Sequence, residues 1–238
     1  CWSTKGIIYM VFSSVDRVIT SLKHKEPDRI PFDLGTTAGT GMHINAYKKI
    51  LKYLGKNGNR NIEILDKIER LAIIDDEISD MLGIDTVGIF PDFPVIELKD
   101  IEDEKYNYYK DRWDILFRMP KKGGNYLDIY QFPLSNINTI EDLKSYKWPS
   151  PYYSFDRIEK KINKWKRSKN KKALVYVNME CGIFEFGLRL RGFEDFLMDM
   201  YSNSKYACYL MDRILELKMR SWEKTIKKFG KDITIVFE

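Results

Sequence analysis

Five residues in succession, Ala173-Leu174-Val175-Tyr176-Val177, leave a strand little that could turn toward water, and Ile233-Thr234-Ile235-Val236-Phe237 repeats the pattern. Strands of this kind are buried on both faces, the situation of a parallel sheet. Thr86-Val87-Gly88-Ile89-Phe90 is a third such run, and Ile30-Pro31-Phe32-Asp33-Leu34 reads as a short fourth.

Amphipathic stripes lie between these runs. Val15, Val18, Ile19 and Leu22 share one helical face behind an N-cap at Ser13 or Ser14, and His24 to Pro27 ends that helix. Ile44, Tyr47, Ile50, Leu51 and Leu54 mark a helix stopped by Gly55, and Ile73 to Leu82 another closed by Gly83. Phe155, Ile158, Ile162 and Trp165 form the next stripe, followed by one or two helices from Ile183 to Met200. A long helix from about Lys205 to Phe229 turns Ala207, Leu210, Met211, Ile214, Trp222 and Ile226 inward, with Gly230 as its cap. From about 93 to 151 the alternation breaks into aromatic, β-branched segments with a hairpin turn at Lys122-Gly123-Gly124-Asn125 and a short helix at Ile140 to Tyr146. No flexible linker sets this stretch apart, so it reads as an antiparallel insertion within one domain spanning 1–238.

The fold class expected is therefore α/β, with about four parallel strands. A closed eight-stranded barrel takes about 250 residues, and the 238 residues here supply half the strands and stop on one. The pattern predicts an incomplete, N-terminal portion of a TIM (β/α)8-type barrel.

Composition narrows the function classes. Basic residues number 40 against 35 acidic, and the richest run, Lys161 to Lys172, covers the polar side and end of a helix, so no nucleic-acid partner is expected. No apolar run approaches the roughly 18 residues that would span a membrane. Cys1, Cys181 and Cys208 are too few and scattered for a disulfide framework, which points to the reducing cytoplasm.

Candidate site residues follow from the strand ends, because barrel enzymes place their chemistry at the C-terminal rim. Asp92 lies just past Phe90; Asn178, Glu180, Cys181 and Glu185 follow Val177; Glu238 follows Phe237. Two carboxylates there could orient a substrate or carry a proton, and helix capping is the competing account of Glu180 and Glu185. The loop from Gly35 to His43 offers Thr36 and Thr37 to a ligand, with small residues that permit close backbone approach, and His43 as a ligand or proton carrier. Trp113 reads as a packing residue, and Arg189 and Arg191 as surface residues.

The run His24-Lys25-Glu26-Pro27-Asp28-Arg29-Ile30-Pro31-Phe32-Asp33, after Asp16-Arg17-Val18, resembles the N-terminal signature of the uroporphyrinogen decarboxylase superfamily. Gly88-Ile89-Phe90-Pro91-Asp92 is similar to that family's second-strand end, and Leu190-Arg191-Gly192-Phe193-Glu194-Asp195-Phe196-Leu197 to its helix after strand three. Ile235-Val236-Phe237-Glu238 is similar to the strand that enters its central active-site loop. The resemblance implies a (β/α) barrel and a functional role for Asp92. It also implies one of two chemistries: decarboxylation of a tetrapyrrole, or methyl transfer from a corrinoid, often with a zinc-bound thiol.

The decarboxylase's first loop is rich in arginine, which grips carboxylates through paired bonds, whereas Gly35 to His43 contains none. Leu188 stands where the decarboxylase has tyrosine. The resemblance thus implies a corrinoid-dependent methyltransferase when full-length, with a small-molecule or tetrapyrrole-type substrate and a corrinoid protein as a further partner. Family zinc ligands would lie beyond Glu238, and no metal ligands are expected within the chain. Uroporphyrinogen decarboxylase is the alternative enzyme, and a non-catalytic binding protein or inactive fragment the alternative of another class.

Overall fold

The computed structural model describes residues 12–91, 103–178 and 180–238. Helix α1 (Ser14–Leu22) begins where the Ser13 hydroxyl accepts the Asp16 N–H, which satisfies one of the free amides of a first turn. The expected strand at Ile30 to Leu34 does not form. Pro31 has no N–H to give a ladder, and Phe32 hydrogen-bonds to Asp85, donating its N–H to the carboxylate and accepting the Asp85 N–H at its carbonyl.

A small antiparallel sheet that periodicity did not disclose comes next. Strand β1 (Met42–His43) leads into helix α2 (Ile44–Tyr53), and β2 (Ile64–Asp66) and β3 (Leu71–Ala72) complete the order β1-β3-β2. The helix expected from Ile73 to Leu82 is shorter, α3 (Asp76–Met81). It starts at its acids because Asp75 is extended and carboxylates favour a helix N-terminus. Ile74 instead packs with Tyr47, Leu51 and Ile78.

Strand β4 (Thr86–Ile89) is followed by the antiparallel insertion: β5 (Tyr106–Lys110), β6 (Leu116–Pro120) and β7 (Asp128–Gln131), in register Tyr108↔Arg118 and Phe117↔Ile129. The β6–β7 turn uses Gly123 at φ 75°. Helix α4 (Ile140–Ser145) closes the insertion, and α5 (Asp156–Arg167) buries Ile158 and Ile162 as its stripe predicts. Strand β8 (Ala173–Val177) is buried at every position. Helices α6 (Ile183–Arg191) and α7 (Phe193–Ser202) are separated by Gly192 at φ 102°, a conformation that favours glycine. Helix α8 (Ser204–Phe229) and strand β9 (Ile235–Phe237) complete the order. Ile226, expected inward, is exposed. Gly230 ends α8 in ordinary helical geometry, without a left-handed turn.

Strands β4, β8 and β9 form a parallel sheet in the order β4-β8-β9, three strands where four were expected. Side chains alternate across it. Val87, Ile89, Leu174 and Tyr176 face α5 and α8 and pack with Ile158, Ile162 and Phe229. Thr86, Gly88 and Val175 point to the other face, where the Gly35–Gly41 loop lies in place of a helix. A Cβ on Gly88 would sit 2.6 Å from the Thr36 carbonyl oxygen, and one on Gly39 would sit 3.8 Å from the Phe237 ring. Unlike β8, β9 leaves Val236 and Phe237 exposed. The largest core joins the insertion to helices α6, α7 and α8 through Trp113, Phe117, Phe186 and Phe196. Arg191, expected at the surface, is 7% exposed and lies inside this junction. It donates to Asp199 and to the carbonyls of Leu134, Ser135 and Ile137. Among the described residues no helix is long and apolar enough to cross a membrane.

Candidate functional site

Parallel pairing brings the C-terminal ends of β4, β8 and β9 to one rim. Phe90 and Pro91 leave β4 there, Asn178 and Glu180 leave β8, and Glu238 leaves β9. The β5–β6 hairpin leans over this rim and encloses a cleft of about 270 Å³ lined by Pro91, Asp111, Arg112, Trp113, Glu180 and Arg189, among others. Trp113 is a wall as well as the packing residue expected, since its ring stacks 4.4 Å from that of Phe186.

The side chain of Glu180 is 5% exposed. Its Oε1 accepts from Arg112 Nε at 2.7 Å, from Arg112 Nη2, and from Trp113 Nε1 at 2.9 Å. Its Oε2 is buried without a hydrogen-bond partner among the described residues. A buried polar atom left in that state costs about 1–3 kcal/mol, and no side chain caps the first turn of α6 by a hydrogen bond. Arg112 is held from behind by the Ser150 carbonyl at 2.7 Å.

Asp111 faces the same cleft. Its Oδ1 accepts the N–H groups of Trp113 and Ile115 at 2.9 and 3.0 Å, which fixes the hairpin turn. Burial, aided by the charge on Glu180, raises its carboxyl to about 6. Burial likewise pushes the Cys181 thiol up to about 12, so at neutral pH it is protonated and a poor nucleophile.

A second rim group surrounds Asn178. Its Nδ2 donates to Glu238 Oε2 at 3.2 Å, and the buried Lys218 reaches Glu238 Oε1 at 2.5 Å and the Cys181 carbonyl at 2.7 Å. Asn178 Oδ1 has no partner among the described residues.

The other expected site residues are placed differently. Thr36 and Thr37 are buried, with hydroxyls engaged by Thr86 and Thr40. Their loop makes its close approach to the sheet at Gly88, and Gly35 and Thr36 line a separate pocket of about 380 Å³. His43 caps α2: its Nδ1 accepts the Asn45 N–H, and its Nε2 bonds the Asn125 carbonyl oxygen. Both nitrogens are occupied, and His43 does not line the cleft. Glu185 is half-exposed and paired with Arg189 at 2.5 Å, a helix-surface pair. Asp92 lies outside the described residues, although Pro91 before it lines the cleft.

Asp111, Arg112 and Lys218 were missed. The first two sit in the insertion, where only aromatics drew notice, and Lys218 sits inside a long charged helix. The Asp-Arg run proves structural. Asp85, fully buried, receives Arg17 Nη1 at 2.6 Å, Arg29 Nη1 at 2.7 Å and Ser14 Oγ at 2.8 Å. Arg17 also binds Asp28 through Nε at 2.6 Å. Asp85 precedes β4, so this knot lies at the opposite end of the strand from the cleft.

Comparison with protein-family models, with curated proteins and with solved structures finds no match. Among the described residues no three His, Cys, Asp or Glu side chains are grouped to hold a metal. With Cys181 held as a thiol, these residues do not fit a zinc-thiolate centre. Nor does the cleft fit an entire corrinoid: drug-sized ligands alone occupy pockets of about 300–1,000 Å³.

Proposed function

We propose that this chain is a cytoplasmic enzyme of the uroporphyrinogen decarboxylase-like type, with β4, β8 and β9 as part of a (β/α)8-type barrel. The reaction proposed is methyl transfer between a corrinoid and a small acceptor. In this reading the corrinoid is carried by a separate protein, and the rim cleft receives the acceptor. The observation that carries the proposal is the gathering of Asn178, Glu180 and Glu238 at one end of three parallel strands, with helices on a single face. The first loop, without arginine, favours methyl transfer over handling of a polycarboxylate. Within the cleft, Asp111 supplies a carboxyl that can exchange a proton near neutrality.

A second reading, decarboxylation of a tetrapyrrole, is favoured by one observation: Arg112, Arg157 and Arg189 line the cleft from other elements. Guanidinium groups placed there could receive carboxylates that the first loop cannot, in exchange for their present partners Glu180, Glu63 and Glu185.

The test is to incubate the purified protein with methylcobalamin and a thiol, following the cobalamin spectrum, and separately with uroporphyrinogen, following loss of carboxyl groups. Demethylation of the cobalamin supports the first reading. Consumption of uroporphyrinogen replaces it with the second, and inertness in both assays removes both.

A further inference from the structure

Glu180, which lines the cleft beneath the β5–β6 hairpin, carries a buried oxygen whose chemistry is incomplete. Glu180 Oε1 is fully used by Arg112 and Trp113, whereas Oε2, in a side chain 95% removed from solvent, has no partner among the described residues. An ionised carboxylate can only accept, so the group missing from Oε2 is an N–H or O–H donor.

The surroundings narrow that donor. Arg112 already balances the charge on Glu180, and among the described residues four basic side chains line the cleft against three acidic ones. A further cation would therefore enter a site with no net negative charge to receive it. The remaining lining is flat and apolar, with Trp113, Phe186, Tyr109 and Phe90 contributing rings. Aromatic walls gain most from a flat apolar body laid against them.

We propose that this cleft binds a small neutral molecule with a flat apolar body and one hydroxyl-type donor, directed at Glu180 Oε2. If the rim is the active site proposed above, this molecule is the acceptor. The inference rests on that reading only for the word acceptor, because binding is measured without turnover.

The reporter is the indole N–H of Trp113, which donates to the same carboxylate and is assigned by its loss from the NMR spectrum of Trp113→Phe. Four probes share one ring: benzyl alcohol, benzyl methyl ether, benzylammonium and benzoate. Benzyl alcohol should move the indole signal saturably, and the ether, which lacks the donor, should bind at least tenfold more weakly. Equal binding of alcohol and ether overturns the proposal, as does tighter binding of benzoate or benzylammonium than of the alcohol.

In Glu180→Gln the amide can turn an N–H toward the ligand, so the preference should move toward the ether, an acceptor without an O–H. An unchanged preference in a folded Glu180→Gln also counts against the proposal. The alcohol–ether comparison is made in the unaltered chain, so it decides the matter even if that variant does not fold. Donor-selective binding without demethylation of methylcobalamin would leave this inference standing while removing the methyl-transfer reading, and the reverse result would do the opposite.

Discussion

Replacing Asp111 with asparagine should stabilise the protein above neutrality and leave it unchanged in acid. The Asp111 carboxyl rises from an ordinary value of 3.8 to about 6, chiefly through burial. A difference of roughly two pH units, at about 1.4 kcal/mol for each, makes the ionised side chain a liability of about 3 kcal/mol. The sign follows from proton binding. Between pH 4 and 6 the folded chain holds a proton that the unfolded chain has released, so stability falls as pH rises through that window. Above pH 6 the penalty is complete. Asparagine retains an Oδ1 to accept the N–H groups of Trp113 and Ile115 and cannot ionise. Urea unfolding followed by circular dichroism at pH 4 and pH 8 reads the gap directly. The variant should match the parent at pH 4 and exceed it by up to about 3 kcal/mol at pH 8. A gap that is absent at pH 8, or larger at pH 4, would refute the assignment of a strained acid at this position.

Three other outcomes are expected. Arg191→Leu leaves the buried Asp199 without its counter-charge and takes a donor from the Ser135 carbonyl, while Leu134 and Ile137 keep bonds from the Ile137 N–H and the Tyr206 hydroxyl, and should cost about 3–5 kcal/mol in urea unfolding; a loss below about 1 kcal/mol would mean the bonds of Arg191 are replaceable. Gly88→Ala brings a methyl group to 2.6 Å from the Thr36 carbonyl, and should cost about 1–3 kcal/mol with chemical-shift changes centred on the Thr36 loop. Asp28, held down to about 2 by Arg17, should support the fold above its ordinary value and lose that support as pH falls from about 4 to 2. Asp28→Asn should flatten that part of the acid-unfolding curve, and an unaltered curve would contradict the pairing.

How far the chain could be read depended on the range of the interactions involved. Strand Ala173–Val177 and the stripe of α5 were legible because burial of a whole element leaves a periodic mark in adjacent residues. The hairpin of the insertion was legible from its glycine turn. The strand at Phe32 was misread because a side chain, Asp85, took the place of a partner strand. Two-residue strands such as Leu71–Ala72 are too short for any period. At the site, the rim position of Asn178 and Glu180 followed from strand direction alone. Their partners did not: Arg112 lies 68 positions from Glu180, and nothing local marks it apart from any arginine in a turn. Arg191 was misjudged because charge ordinarily means exposure, and the Leu134, Ser135 and Ile137 carbonyls and Asn138 Oδ1, all from one distant loop, cannot be seen from its neighbours.

The Arg17–Asp28–Asp85–Arg29 knot bears on where this protein could be trimmed. Asp85 is sealed from water at the entrance of β4, and among the described residues its counter-charges, Arg17 and Arg29, come from the segment 14–29. A shortened chain begun at β1 would leave that carboxylate without Arg17 and Arg29, at the base of the sheet on which the cleft is built. The leading helix therefore behaves as a keystone for the parallel sheet, and such a trimmed protein should lose its cooperative unfolding even though every cleft residue is still present.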